Sequence, residues 1–399
     1  MYKFDIIIAG AGIVGLATAI QIMSERPKTK LLVVDKENSP AKHQTGHNSG
    51  VIHSGLYYAP NSLKAKNCID GYHQLIKFCR EEGVSHEICG KVVVAVSDED
   101  LPRLEELKNR GQANGLTGIR TLNPKQIREI EPHCSGLKGL YVPQTGIVDF
   151  SQVAKRMVDK LSSVGVEFAF NQKVEKIQNT DSGVVITSSD LSWSAKTVVT
   201  CAGLQSDRLA RMTVPDLDLR IVPFRGEYYT LKKSAHYLVK NLIYPVPDPA
   251  FPFLGVHFTR MINNNVECGP NAIFSFGRET YSKGTFNLYD TIGSIAWPGF
   301  RKIARKYWRN GLEEYYRSVS KKAFLKALQR LIPDIKKDQL EPGGAGIRAQ
   351  ACSHDGQLLS DFSIKQGANF LHVCNAPSPA ATASLAIGKS IAGQMLKKL

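Results

Sequence analysis

The chain has 399 residues, of which 43% are hydrophobic, and a formal net charge of +15. This size allows two domains or one large α/β unit with a sizeable core. Eight scattered cysteines without a Cys-x-x-Cys pair indicate neither a zinc site nor a disulfide framework, which fits a reducing compartment. The longest apolar run, residues 6–20, is too short to span a bilayer and follows no basic leader, so we expect a cytoplasmic protein without transmembrane segment or signal peptide.

The first predicted unit is a strand, a glycine turn and a helix. Apolar residues 4–9 predict a buried parallel strand, and a helix is expected over residues 16–24. A second apolar run, residues 31–34, ends in an acid at the spacing where a carboxylate accepts a hydrogen bond from a ribose. The sequence therefore predicts a dinucleotide fold, with cofactor contacts from Gly10, Ala11, Gly12, Ile13, Val14, Gly15, Asp35 and Lys36.

A second cofactor-lining segment is predicted between residues 36 and 58, which are rich in Gly, Ser, His and Asn. Small side chains allow backbone N–H groups to approach a bound cofactor closely. The expected contacts are Thr45, Gly46, His47, Asn48, Ser49 and Gly50. His43, His47 and His53 lie among glycines without a helical His pair or a carboxylate beside them, so we expect no metal.

The middle of the chain alternates between helix and strand patterns. Helices are predicted at residues 63–82, 98–109 and 149–163, and strands at 91–96, 166–171, 184–187 and 197–201. The last strand ends in Ala202-Gly203, a second βα turn suited to the far side of a flavin nucleotide, where Val174 is also placed. Short strand-like runs between residues 215 and 276 predict an antiparallel sheet inserted between parts of the nucleotide domain.

The last third of the chain begins with basic helices, predicted over residues 289–331. Residues 301–337 combine many Lys and Arg with aromatic residues, which is typical of a helix on a bilayer surface or of a solvated helical face. Glycine-rich turns are predicted at 343–350, a strand at 370–374 and a helix at 380–396. No nucleic-acid-binding motif accompanies the positive charge, so no nucleic-acid partner is expected.

Several longer segments carry a resemblance to a known family. The nucleotide unit and residues 45–55, 222–228, 244–247, 253–257, 269–272 and 375–382 resemble the L-2-hydroxyglutarate dehydrogenase/oxidase family of D-amino-acid-oxidase-like flavoproteins. Asp35 stands where relatives often carry Glu, which preserves the carboxylate. The resemblance implies bound FAD and oxidation of L-2-hydroxyglutarate to 2-oxoglutarate by hydride transfer, with a quinone or oxygen as acceptor. It places Pro377, Ser378, Pro379, Ala380, Ala381 and Thr382 against the cofactor.

Oxidation of a 2-hydroxy acid requires a base for the hydroxyl proton and a cation for the carboxylate. His53 is the first choice for the base, and His257 is a competing base or carboxylate ligand. Arg348 lies where related enzymes place a carboxylate-binding arginine. Candidates for the distal carboxylate are Arg225, Tyr228 and Arg260.

The expected fold class is α/β, a Rossmann-like FAD-binding domain with an interleaved antiparallel-sheet α+β substrate domain. Residues 1–85, 145–212 and 341–399 are assigned to the FAD domain, and residues 86–144 and 213–340 to the substrate domain, which includes the basic helical segment 289–337. Peripheral docking on an anionic inner-membrane surface is a further hypothesis. The alternatives are oxidation of glycine- or sarcosine-type amines, and a nucleotide-bound membrane or nucleic-acid-binding module without turnover. The oligomeric state stays open.

Overall fold

Two large β-sheets organise the chain in the computed structural model, which describes residues 2–248 and 254–397. The strands are β1 (Tyr2–Ala9), β2 (Leu31–Val34), β3 (Val51–Ile52), β4 (His86–Glu87), β5 (Lys91–Ala95), β6 (Arg120–Leu122), β7 (Lys138–Val142), β8 (Gly146–Val148), β9 (Glu167–Ala169), β10 (Lys176–Thr180), β11 (Gly183–Thr187), β12 (Ser192–Thr200), β13 (Leu219–Leu231), β14 (Leu242–Pro245), β15 (His257–Arg260), β16 (Val266–Gly269), β17 (Ile273–Phe274), β18 (Leu340–Ser353), β19 (Ser363–Gln366) and β20 (Phe370–Asn375). The α-helices are α1 (Ile13–Glu25), α2 (Leu63–Glu81), α3 (Asp100–Ala113), α4 (Pro124–Ile130), α5 (Phe150–Ser163), α6 (Ser206–Ala210), α7 (Leu288–Ala296), α8 (Pro298–Val319), α9 (Lys321–Leu328) and α10 (Ser384–Leu396).

The first sheet has eight strands and contains the predicted nucleotide unit. Its central strand β1 pairs in parallel with β2 and β12, and β20 adds to β12 in parallel. Ile6 and Ile8 belong to a hydrophobic cluster that includes residues of α1, α5 and α10. Phe4 and Ile7 belong to a second cluster, which includes residues of β10 and β11. Burial on both faces explains why β1 is a nearly continuous apolar run. The predicted strand, turn and helix are confirmed.

The second sheet has nine strands in the order β17-β13-β16-β15-β14-β5-β7-β6, with β18 paired to β13. Its longest ladder is antiparallel and runs from Leu219 opposite Ser353 to Leu231 opposite Leu340. The predicted antiparallel sheet is therefore confirmed, with one parallel pair between β14 and β5. A small third sheet has the strand order β3-β8-β4. Along the chain, each of its strands lies between a segment of the first large sheet and a segment of the second.

Several element ends differ from the sequence prediction by a few residues, and the differences that affect the site are as follows. Residues 343–350 form the middle of strand β18 and not a series of turns. Gly346 pairs with Gly226, and a Cβ at Gly346 would lie 2.5 Å from the carbonyl oxygen of His47, so glycine here permits close packing. Because β18 pairs with β13, residues 341–353 belong with the second sheet and not with the FAD domain. The last helix begins at Ser384 and not at residue 380, and Phe253 of the segment 253–257 lies outside the described residues.

The basic segment is helical, as predicted, from α7 through α9, with a break in helical geometry at Tyr307. None of the helices within residues 2–248 and 254–397 combines the length and apolar composition needed to cross a bilayer.

A buried ion pair joins α6, which follows the first sheet, to the segment between β17 and α7. The guanidinium of Arg278 donates to both carboxylate oxygens of Asp207, and both residues are buried. Asp207 also accepts from the backbone N–H of Ile221, at the start of the second sheet. This pair fixes the two sheets relative to each other.

Candidate active site

A cleft of about 1560 Å³ is lined by residues from both large sheets. It extends from the turn between β1 and α1, along the segment after β2, to side chains carried by β13, β14, β15 and β18. The predicted cofactor residues that line it are Gly10, Gly12, Ile13, Val14, Asp35, Lys36, Thr45, His47, Asn48, Ser49, Val174, Ala202, Gly203, Pro377, Ser378, Pro379, Ala380, Ala381 and Thr382. Ala11, Gly15, Gly46 and Gly50 are not part of the lining.

The glycine turn brings bare backbone to one wall of the cleft. Gly10 has a φ of +118°, and a Cβ there would lie 2.4 Å from the carbonyl oxygen of Cys201. A Cβ at Gly15 would lie 2.0 Å from the carbonyl oxygen of Gly10. The N-cap of α1 is Gly12, so no side chain covers the positive end of the helix dipole, which suits a pyrophosphate.

Asp35 is fixed beside this turn at the end of β2. One carboxylate oxygen accepts from the backbone N–H of Ala11 at 2.6 Å, and the other accepts from that of Glu37 at 2.9 Å. The hydroxyl of Thr45 accepts from the N–H of Ile13 at 3.1 Å and so ties the second predicted segment to the helix start. A carboxylate held in this position fits a ribose hydroxyl.

Lys36 lies in a polar cluster at the cleft wall. Its Nζ donates to the carboxylates of Glu37 and Glu279, the latter at 3.0 Å, and His43 lies 2.9 Å from Glu37. The ligand atoms of Glu37, His43 and Glu279 come within 4.8 Å of one another. The lysine ammonium already supplies the positive charge at this cluster, and His47 and His53 are not part of it.

The far part of the cleft contains both predicted histidines, together with Tyr228, Tyr244 and Arg348. The backbone N–H of His53 donates to the hydroxyl of Thr382 at 3.0 Å, which anchors this residue to the turn before α10. His257 has its Nδ1 2.8 Å from the carbonyl oxygen of Gly255, so Nδ1 carries the proton and Nε2 is free to accept. The ring of His257 stacks on Tyr244 with 4.0 Å between centroids.

Both imidazoles are neutral in this environment. Burial lowers the pKa of His53 to about 3, and the nearby charge of Lys91 adds to the effect. Burial also lowers the pKa of His257 to about 3, against the opposing hydrogen bond to Gly255, and the charges of Arg348 and Lys91 contribute. Both residues are therefore in the unprotonated form that a base requires, while the lowered pKa values make each a weaker proton acceptor than a free imidazole.

Arg348 is presented by β18, opposite Phe224 of β13. Burial lowers the pKa of its guanidinium, which nevertheless stays charged at any physiological pH. Tyr228 lines the same cleft, and the Arg348 charge partly offsets the rise in the Tyr228 pKa caused by burial. The cleft is thus lined by a half-buried cation, a phenol and neutral imidazoles.

Two other predicted substrate ligands lie elsewhere. Arg225 donates to Glu227 at 2.8 Å and to the carbonyl oxygen of Ser282. Arg260 donates to Glu87 at 2.6 Å. Neither arginine lines the cleft.

Three residues in or beside the site were assigned no role from the sequence: Lys64 and Tyr244, which line the cleft, and Lys91, which does not. Lys64 lines the cleft from α2, and Lys91 is buried at the start of β5. In the sequence, the signal for Lys91 was its position directly before the apolar run of residues 92–95. In the structure, the strand formed by Lys91–Ala95 is buried throughout.

Comparison with known proteins decides the family. Residues 5–394 match the DAO family, described as FAD dependent oxidoreductase. The chain belongs to this family. It is 52% identical over 396 residues to L-2-hydroxyglutarate dehydrogenase of Indibacter alkaliphilus, with 99% of each chain covered. It is 45% identical to the mitochondrial L-2-hydroxyglutarate dehydrogenase of Caenorhabditis elegans, with 99% of this chain and 94% of the relative covered, and 42% identical to the Escherichia coli K12 enzyme of that name, with 98% and 93% covered.

Solved structures show the same fold as this FAD-dependent oxidoreductase. L-alpha-glycerophosphate oxidase from Mycoplasma pneumoniae, with FAD bound, superposes with a TM-score of 0.81 at 22% identity over 100% of this chain and 95% of that one. Glycine oxidase from Geobacillus kaustophilus gives 0.75 at 16% identity, over 100% and 96%. The predictions of an FAD-binding α/β fold and of FAD as cofactor are confirmed.

Proposed function

We propose that the protein is an FAD-dependent dehydrogenase that oxidises L-2-hydroxyglutarate to 2-oxoglutarate. The observation that carries this proposal is that the half-buried Arg348 and two neutral imidazoles line the same cleft as the cofactor residues. The names of relatives up to 52% identical over nearly the whole chain support the choice of substrate.

The residues of the nucleotide unit fit the cofactor. The backbone of the glycine turn and the start of α1 would hold the pyrophosphate, and Asp35 would hold the ribose. The turn of residues 377–382 would lie against the flavin ring. Bound FAD supplies a hydride acceptor.

The substrate roles follow from the far end of the cleft. Arg348 would bind the α-carboxylate, and its planar guanidinium can hold both oxygens and so orient the α-carbon. We assign the base to His53, whose backbone is anchored to the same turn as the predicted flavin contacts. Nε2 of His257 would be the competing acceptor for the same hydroxyl proton, and the ring would otherwise pack beside the substrate.

Anaerobic reduction of the purified holoenzyme tests the reaction. We expect L-2-hydroxyglutarate to bleach the visible flavin absorption, whereas the D-enantiomer, L-malate and glycine bleach it much more slowly. Fast reduction by glycine and none by hydroxy acids would instead establish the amine oxidase alternative. The assignment of the base is tested by His53→Asn and His257→Asn: we expect His53→Asn to lower the reduction rate at saturating substrate by roughly 10²–10⁴-fold. A smaller loss for His53→Asn than for His257→Asn would exchange the two roles.

We also propose that the enzyme docks on an anionic membrane surface, on the inner membrane, and passes electrons to a quinone. The supporting feature is the exposed apolar surface of α7 and α8, formed by Leu288, Tyr289, Ile292, Ile295, Trp308, Leu312, Tyr315, Tyr316 and Val319. Exposed Arg301, Lys302, Arg305, Lys306 and Arg309 lie on the same helix as the last five. Apolar side chains flanked by cations match an anionic bilayer.

Vesicle sedimentation tests the docking. We expect salt-sensitive binding to vesicles that contain anionic lipid and loss of binding in the double variant Trp308→Glu/Leu312→Glu. The matched control is Leu191→Glu, which changes an exposed apolar residue on a hairpin of the first sheet. Binding that survives the double variant, or that Leu191→Glu removes equally, would contradict the proposal.

A further inference from the structure

Lys91 is a buried lysine at the first position of β5. Its relative exposure is 1%, and neighbouring strands β7 and β14 flank it on either side. Its Nζ lies 4.4 Å from the ring centroid of Tyr57 and 5.0 Å from that of Tyr244. Within residues 2–248 and 254–397 we find no ion pair to Lys91, so its known neighbours are two aromatic faces.

A buried ammonium without an anion is costly. Cation–π contacts with two aromatic rings offset only part of the free energy that an ammonium loses when it leaves water. Burial accordingly lowers the pKa of Lys91 to about 7. An anion placed beside Nζ would relieve this cost.

Lys91 lies beside the substrate end of the cleft, although it is not one of the residues that line it. One of its aromatic neighbours, Tyr244, lines the cleft and stacks on His257. The positive charges of Lys91 and Lys64 act on His53, and those of Arg348 and Lys91 act on His257. The two imidazoles therefore lie within electrostatic reach of three cations.

We propose that Lys91 binds the distal carboxylate of a dicarboxylic 2-hydroxy acid while Arg348 binds its α-carboxylate. This inference rests on the proposed function, and it assigns the selectivity for a dicarboxylate. Each of the two cations meets one carboxylate, and the hydroxyl between them lies near the imidazoles. The two negative charges of the substrate then neutralise the two positive charges of the site.

Lys64 is the competing cation, because it also lines the cleft. Its Nζ already donates to the carbonyl oxygen of Ser360 at 3.4 Å, and the carboxylate of Asp361 is close enough to favour its charged form. Among the residues that the structure describes, no carboxylate acts in this way on the charge of Lys91. The need for an external anion is therefore greater at Lys91.

A pair of substrates isolates the distal carboxylate. L-2-Hydroxypentanoate has the carbon chain of L-2-hydroxyglutarate with a methyl group in place of that carboxylate. The ratio of kcat/KM for the two acids is measured on wild-type holoenzyme, Lys91→Met, Lys91→Gln, Lys91→Arg and Lys64→Met, each checked for bound flavin by its visible spectrum. Two neutral replacements are used so that poor folding of one does not remove the test, and Lys91→Arg keeps the charge.

We expect Lys91→Met and Lys91→Gln to lower kcat/KM for L-2-hydroxyglutarate by roughly 10²–10³-fold and to change that for L-2-hydroxypentanoate by less than about threefold. Lys91→Arg should keep most of the ratio, and Lys64→Met should keep it as well. Parallel losses for both acids, an unchanged ratio, or a collapse of the ratio in Lys64→Met instead would overturn the assignment. A wild-type enzyme that oxidises neither acid would refute the proposed function itself, whereas a selective wild type with an unchanged ratio in the Lys91 variants refutes only the role of Lys91.

Discussion

Replacement of Arg348 by Met tests how the site holds the α-carboxylate. The guanidinium is half-buried at the cleft wall, so in the variant the carboxylate of a bound substrate would be left without this cation in a region of lowered dielectric. A hydrogen bond to a charged group contributes about 1.5–3 kcal/mol, so two of them correspond to about 3–6 kcal/mol. At about 1.4 kcal/mol per factor of ten, kcat/KM should fall by roughly 10²–10⁴-fold. Part of the loss should appear in kcat, since the α-carbon would no longer be oriented toward the flavin.

Anaerobic stopped-flow absorbance of the flavin, over a range of L-2-hydroxyglutarate concentrations, gives the limiting reduction rate and the apparent affinity separately. The matched control is Arg260→Met, which removes an arginine that pairs with Glu87 away from the cleft. We expect the control to stay within about twofold of wild type, as surface ion pairs contribute little. A loss below tenfold for Arg348→Met, or an equal loss in the control, would refute the reasoning.

Three further predictions concern the cofactor turn, the pH profile and the joint between the sheets. Gly15→Ala should lose FAD on gel filtration, because the added Cβ would lie 2.0 Å from a backbone oxygen. The control Gly311→Ala should keep FAD, because the Cβ added there has no atom within 4 Å. Equal flavin content in the two variants would contradict this prediction. Activity requires neutral His53 and charged Lys91. The profile of kcat/KM against pH should therefore show no acid limb near pH 6.5, and kcat/KM should fall above about pH 7, where Lys91 loses its proton. Lys91→Arg should remove that alkaline limb. Arg278→Met should lower the free energy of unfolding by about 3 kcal/mol in denaturant titrations, since buried Asp207 loses its bidentate partner and keeps only Arg211 and the N–H of Ile221. Burial raises the pKa of Asp207, but the hydrogen bonds and charge of Arg278 lower it overall. The stability that the Asp207–Arg278 pair contributes is therefore present above the unfolded-state pKa of Asp207 and is lost as the pH falls through the folded-state pKa. An Arg278→Met variant within about 1 kcal/mol of wild type would argue against a stabilising role of this pair.

Features encoded by neighbouring residues could be predicted from the sequence. The first strand, the glycine turn and the acid at Asp35 form one local unit, and the structure places them together as expected. Strand β18 could not be recognised, because its glycines signal turns locally and only pairing with β13 makes them part of a strand.

Long-range contacts decided the rest of the site. The sequence places three candidate arginines in or next to strand-like runs: Arg225, Arg260 and Arg348. Of these three, Arg348 is the one that lines the cleft, and the pairing of β18 with β13 sets its position. The aromatic neighbours of Lys91 are Tyr57 and Tyr244, which lie far apart in the chain. No spacing rule connects residues that distant strands bring together.

The first sheet is assembled from widely separated pieces of the chain, and this has a consequence for synthesis on the ribosome. Strand β20 completes the parallel pairing of β12, and α10 packs on α1 so closely that a Cβ at Gly388 would lie 2.6 Å from the backbone of Ala17. The glycine turn is synthesised long before α10, the helix that supports α1. Nascent chains stalled between β20 and α10 should therefore leave part of the apolar surface of α1 uncovered and open to chaperones, and flavin capture should wait until α10 has been made.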